Sequence, residues 1–252
     1  MGTSNSYDAP PSWSDLKGNV TRVAGGGALT RPAALRLLKS FIEHNGGAHT
    51  MAHGGGPSGI GSGMGRGGGS VARGQAAQGV ARRLGGFISD VGRVGLENAL
   101  RNAGWGDLVG RPVQEILASL LDRLGGDAST IEGVDARMAL SRLQDMYFGD
   151  AETDAELDQR LARQVDHIEI ILQDFFGLYL FEVFCRVFFE RLVQRIGETR
   201  AHSFLDQIAD LINSTLANRM AGRDISQIDW AGAEGEAITA DIMETTLKVF
   251  GG

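Results

Sequence analysis

The longest stretch of helical periodicity runs from Asp154 to Ile196, DAELDQRLARQVDHIEIILQDFFGLYLFEVFCRVFFERLVQRI. Apolar side chains crowd its second half, where six of the eleven Phe fall between 175 and 189. A membrane span needs about 20 consecutive apolar residues with few charges. Asp174, Glu182, Arg186 and Glu190 interrupt this one. The pattern therefore predicts a central bundle helix, enclosed by partners on most sides and carrying one wet stripe. Glu182, Arg186 and Glu190 are four apart, so the spacing places them on that stripe and pairs them along it. Gly177 is a candidate kink.

Shorter periodic segments surround this run. Thr30 can serve as N-cap and Pro32 sits in the first turn of a helix over 30–45. Leu35, Leu38, Phe41 and Ile42 line its apolar face, and Gly46–Gly47 stop it. From Val71 the pattern is again helical, with glycines at 79, 85, 86, 92 and 95. Either one helix keeps them so that another helix can approach closely, or two helices break at Gly85–Gly86. Pro112 and Gly125–Gly126 bound a further helix. Ser129 or Thr130 caps the next. An amphipathic helix ending at Gly222 and a last one after Trp230 complete the chain. No stretch alternates with the period of a strand.

The expected fold class is all-α: a helical bundle with a flexible N-terminal arm and a Gly-rich linker. Four parts follow: an extended arm over 1–29, in which SWSDLKGNV has the makings of a short helical turn, a short helix over 30–45, a Gly-rich flexible linker over 46–70, and a helical bundle domain over 71–252. Twelve glycines lie between 46 and 70. Such a segment buries little apolar area and loses much backbone entropy on ordering.

Composition refines this picture in three ways. The net charge of −7 gives no reason to expect direct nucleic-acid binding. The charge is uneven, +5 over residues 1–90 and −12 over 91–252, so the front end is mildly basic and the body acidic. The single cysteine, Cys185, precludes an internal disulfide and suits a reducing, cytoplasmic setting. It sits in an apolar run and reads as a small buried hydrophobe. The first twenty residues lack the apolar core of a signal peptide.

Candidate chemistry is sparse. GMGRGG has the look of a phosphate-cradling loop, but no strand precedes it and no G-K-[ST] closes it. Of the five histidines, His49 and His53 fall in the glycine linker with no Cys or carboxylate cluster beside them, and read as solvated. In DHIE, Asp166 and Glu169 share a helix face while His167 points elsewhere. No repeated E-x-x-H pair, H-E-x-x-H, G-x-S-x-G, Walker motif or C-x-x-C pair is present. The expectation is a non-enzymatic protein with no catalytic residue, cofactor or metal of its own.

What remains distinctive is the opening, MGTSNSYDAP. MGTSNS fits the N-myristoylation pattern, but one acyl chain anchors only marginally and no polybasic run adjoins it. MGTSNSY, the element PPSW, the glycine-rich spacer and the acidic helical body together resemble the QatB family. That family is the small component of the bacterial four-protein Qat antiphage defence system. The resemblance implies a place beside an ATPase, a TatD-like nuclease and a QueC-like enzyme that activates a 7-carboxy-7-deazaguanine with ATP. It further implies that the amine of Gly2, exposed by removal of Met1, takes the place of ammonia and becomes conjugated to the deazaguanine. Thr3, Ser4, Ser6 and Tyr7 would be the residues held by the partner enzyme. A generic helical adaptor for an ATPase or nuclease, with an inert tail, is the competing expectation. A membrane-acting effector is a third, which the charge spacing of 168–196 disfavours.

Overall fold

The computed structural model describes residues 11–54, 74–217 and 222–251. Among these, every regular element is helical. In chain order they are α1 (Pro11–Gly25), α2 (Arg31–His44), α3 (Gly47–His53), α4 (Gln75–Val94), α5 (Leu96–Asn102), α6 (Val113–Gly125), α7 (Ile131–Phe148), α8 (Asp154–Arg163), α9 (Ile168–Ile196), α10 (Glu198–Leu216) and α11 (Ala233–Lys248). Short 3₁₀ turns occupy Gly106–Leu108 and Val165–His167.

The aromatic helix is the axis of the bundle, as its pattern predicts. α9 is packed by α7, α10, α11, α1 and α4. Phe175, Phe176, Tyr179, Phe184 and Phe188 are fully buried along it. Burying each such ring is worth about 1.5–3 kcal/mol, so this one helix carries much of the core. Gly177 lies within the continuous helix α9. It gives α10 room, because a Cβ there would collide with Leu216 and press on Ile212.

The periodic run does not form one helix. It turns at Gln164 and passes through the 3₁₀ turn before α9 begins. Unbroken, 154–196 would reach about 65 Å, far beyond the elements it must cover. The turn lets Leu157 and Leu161 of α8 enter the core and brings Val165 onto α4. Gly92 makes room for it, since a Cβ there would collide with the Val165 side chain. No Gly or Pro marks the turn, so the apolar pattern runs straight through it.

The glycines of α4 resolve the alternative left open by the sequence. α4 is one helix through Gly85–Gly86. A Cβ at Gly85 would lie 2.5 Å from the Trp230 ring. The indole packs into that notch and its Nε1 donates to Ser89 Oγ at 2.9 Å. The close approach is thus to one aromatic side chain from the loop before α11 rather than to a whole helix.

Two boundary expectations need correction. Residues 11–25 of the expected extended arm form α1, because Leu16, Val20 and Ala24 recur at helical spacing and bury against α2 and α9. Residues 47–53 of the expected linker form α3, because Ala48, Met51 and Ala52 present an apolar face to α11. Of the remainder of those two expectations, 1–10 and 55–70 lie outside the described residues. Thr30 occupies the N-cap position of α2 without a side-chain cap bond, whereas Thr130 caps α7 by accepting from Gly133 N.

Candidate functional site

Gly2, Thr3, Ser4, Ser6 and Tyr7 lie outside the described residues. What the structure does describe is the root of that segment. Trp13 sits edge-on to Phe41, with centroids 6.3 Å apart, and to His44 at 5.6 Å. Phe41 in turn meets Phe184 and Phe188 of α9. Farther along α1, Arg191 Nε donates to Thr21 Oγ1 at 3.1 Å. Past its end, the backbone N–H of Leu29 donates to Gln207 Oε1 at 3.0 Å. Any segment ahead of Pro11 therefore starts from a firmly seated helix on the α9 core.

A polar seam runs between α7 and α9. Arg186 Nε donates to Asp135 Oδ2 at 2.9 Å and Oδ1 at 3.1 Å. Arg142 Nε donates to Glu182 Oε1, and its guanidinium lies 5.1 Å from the Phe181 ring centre. Tyr179 donates its hydroxyl to Glu132 Oε1 at 3.1 Å. Asp135 and Glu182 are buried. Burial pushes both carboxyls above their ordinary range, against the pull of Arg186 and Arg142 respectively. The expected pairing along α9 is corrected here: Glu182 and Arg186 each reach across to α7 rather than to one another. The expected wet stripe holds at Arg186 and Glu190, which are exposed, whereas Glu182 is buried where α7 covers it.

A second carboxylate organises the other end of α9. Glu169 Oε2 accepts from the backbone N–H groups of Gly222 and Arg223, at 2.7 and 2.9 Å. Its Oε1 accepts from Arg223 Nε and Nη2 at 3.1 and 2.9 Å. Four donors on one carboxylate fix the chain leading into α11. Cys185 is half-enclosed, and burial and the Glu182 carboxylate push its thiol up to about 12. At neutral pH it is a protonated thiol and a poor nucleophile.

The remaining cluster is the one the sequence could not assemble. His49 and His53, four apart on α3, both face Glu244 of α11. His49 Nδ1 is 3.3 Å and His53 Nε2 2.9 Å from the same carboxylate oxygen, Oε2. Lys248 Nζ holds the other oxygen at 2.7 Å. The Lys248 ammonium, then the His53 and His49 rings, hold the Glu244 carboxyl down at about 2. The expectation that no carboxylate accompanies these histidines is thus overturned. Helical folding of 47–53 turns the i, i+4 spacing into one face, and α11 delivers the acid from nearly 200 residues away. The spacing was legible in the sequence; the partner was not.

On the surface, α7 exposes Ile131, Val134 and Met138 at helical spacing, with Met146 farther along. No helix among the described residues is long and apolar enough to cross a membrane.

Comparison with known proteins supplies the family. A family model described as QatB, Qat anti-phage system associated protein QatB, matches residues 65–250, well over half of the chain. No curated protein and no solved structure matches it.

Proposed function

The chain belongs to the QatB family of Qat anti-phage system associated proteins, and from that membership we propose that it serves antiphage defence as a substrate rather than as an enzyme. The reactive group is the amine of Gly2, freed by removal of Met1. A QueC-like partner activates the carboxyl of a 7-deazaguanine as an acyl-adenylate. The Gly2 amine attacks that carbonyl, the amide C–N bond forms, AMP leaves, and the amine gives up a proton. ATP and the deazaguanine belong to the partner's chemistry; the chain itself holds no cofactor. An ATPase and a TatD-like nuclease complete the set of partners, and the setting is the cytoplasm.

The family match is the observation that carries this reading, joined to the Met1–Gly2 opening. Physical chemistry supports it in three further ways. Glycine offers no side chain to hinder attack. The hydroxyls of Thr3, Ser4 and Ser6, with Tyr7, give a peptide-binding cleft something to hold. Gly2 to Pro10 can span at most about 30 Å, enough to enter a partner's active site while the bundle stays docked outside, at high effective concentration. The exposed apolar side chains of α7 are a surface on which such docking could rest.

Intact-mass measurement after co-expression with the neighbouring components tests the proposal. The expected species lacks Met1 and carries one deazaguanine amide. A mass showing Met1 loss alone, with every partner active, overturns it. Deleting residues 1–8 separates the adaptor reading: defence that survives the deletion belongs to an adaptor with an inert tail.

A further inference from the structure

The pair of histidines on α3 has the form of a metal chelate. Residues at i and i+4 stand one above the other on a helix, and their rings lie 4.5 Å apart, centroid to centroid. His49 Nδ1, His53 Nε2 and a Glu244 oxygen all fall within 4.8 Å of one another. Donors bound to one zinc ion at about 2.0–2.2 Å in tetrahedral array stand closer than that, so the side chains must draw in slightly. They are free to do so: the side chains of His49 and His53 are 69% and 39% exposed. Glu244 is the fixed member, at 15% exposure.

We propose that His49, His53 and Glu244 form a binding site for one divalent transition-metal ion of borderline softness, with zinc as its representative. Two imidazoles and one carboxylate are a donor set suited to zinc with an open fourth position, where water or a ligand can bind. Lys248 is the residue that shapes the carboxylate. By occupying Oε1 it leaves Oε2 as a single, oriented donor, as hydrogen bonds to the far side of a metal ligand commonly do. The ring nitrogens that face Glu244, Nδ1 of His49 and Nε2 of His53, are the ones that would take the ion.

The scaffold under the site is well defined. Met51 of α3 and Met243 of α11 are fully buried beside it. Gly74, with φ +70°, is pressed between them so closely that a Cβ would collide with Met51 O and with the Met243 side chain. Gln78 of α4 donates its side-chain amide to Ala52 O. His53 also borders an open groove with Gln75, Gln78, Arg82 and Glu236, which gives an ion and a fourth ligand a way in. A bound ion would tie α3, which precedes the matched residues 65–250, to α11 within them.

The test uses the full chain without a polyhistidine tag, stripped with chelator and titrated calorimetrically with zinc. One equivalent should bind saturably. His53→Ala and Glu244→Gln should each weaken binding by about tenfold to a hundredfold or more, with His202→Ala unchanged. Circular dichroism confirms that each variant is folded. In the wild type, zinc should also shift the imidazole NMR signals of His49 and His53 and leave that of His202 in place. No saturable binding, or equal affinity across the variants, or shifts confined to other histidines, overturns the proposal.

Discussion

Two of the polar clusters in this bundle contrast, and the same chemistry has different consequences in each. In the α7–α9 seam, the Asp135 and Glu182 carboxylates are buried and each has a guanidinium from the facing helix. In the α3–α11 cluster, one carboxylate gathers two imidazoles and an ammonium whose side chains reach solvent. The first arrangement satisfies buried carboxylates with guanidiniums that reach the surface. The second leaves nitrogen lone pairs within reach of an ion. Burial separates them: it raises the Asp135 and Glu182 carboxyls, whereas hydrogen bonds from Lys248, His53 and His49 lower that of Glu244. A buried pair is costly to break and offers little to a ligand. An exposed cluster adds little to stability and is available for one.

The comparison breaks most sharply at Arg186. Arg186→Ala leaves the Asp135 carboxylate buried without its main partner and should cost about 3–5 kcal/mol, seen as a lower denaturant midpoint. Asp135→Leu combined with Arg186→Met should recover most of that loss, because a buried pair can be replaced by apolar side chains at little net cost. If the single variant is as stable as the double, the seam is not the closed unit described here.

pH sharpens the same point with a smaller effect. The folded-state carboxyl of Asp135 is already raised by burial, and removing Arg186 raises it further. A raised acid binds its proton more tightly in the folded than in the unfolded state, so stability from it falls as pH rises between the two values. The penalty of Arg186→Ala should therefore be smaller at about pH 5 than at about pH 7.5, measured by paired denaturant titrations. A penalty independent of pH would mean that lost packing of the Arg186 stem dominates.

The contrast between the two clusters is also a contrast in what can be read from sequence. The helical class and the axis at α9 follow from local spacing, which records which side chains need burial. Neither the turn at Gln164 nor the fate of Glu182 and Arg186 is local. Both depend on which helix arrives on the other side, and α7 arrives with Asp135 and Arg142 already at matching heights. The surroundings of His49 and His53 are non-local for a similar reason. Glycine on both sides, at 46–47 and 54–56, suggests a linker. The seven residues Gly47–His53 suffice for α3 because Met51 and its alanine neighbours find α11. The resemblance read from MGTSNSY and from the layout of the chain agrees with the family match over 65–250. Only the layout could have been seen by both, since the opening residues precede the matched ones.

The smallest expected effect is the most informative about the exposed cluster. Glu244→Gln keeps the shape of the side chain and one carbonyl oxygen, while removing the charge that His49, His53 and Lys248 share. Because Lys248 and His49 are more than half exposed, solvent screens these contacts and the loss should be about 1 kcal/mol or less without metal. Added zinc should then raise the melting temperature of the wild type, since an ion that binds only the folded state stabilises it by mass action. The variant should gain much less. A large loss in the absence of metal would place Glu244 with the seam, as a structural carboxylate, and erase the distinction between the two clusters. A small loss together with a zinc-dependent gap would mean that this corner of the bundle is held in reserve for a ligand rather than for the fold.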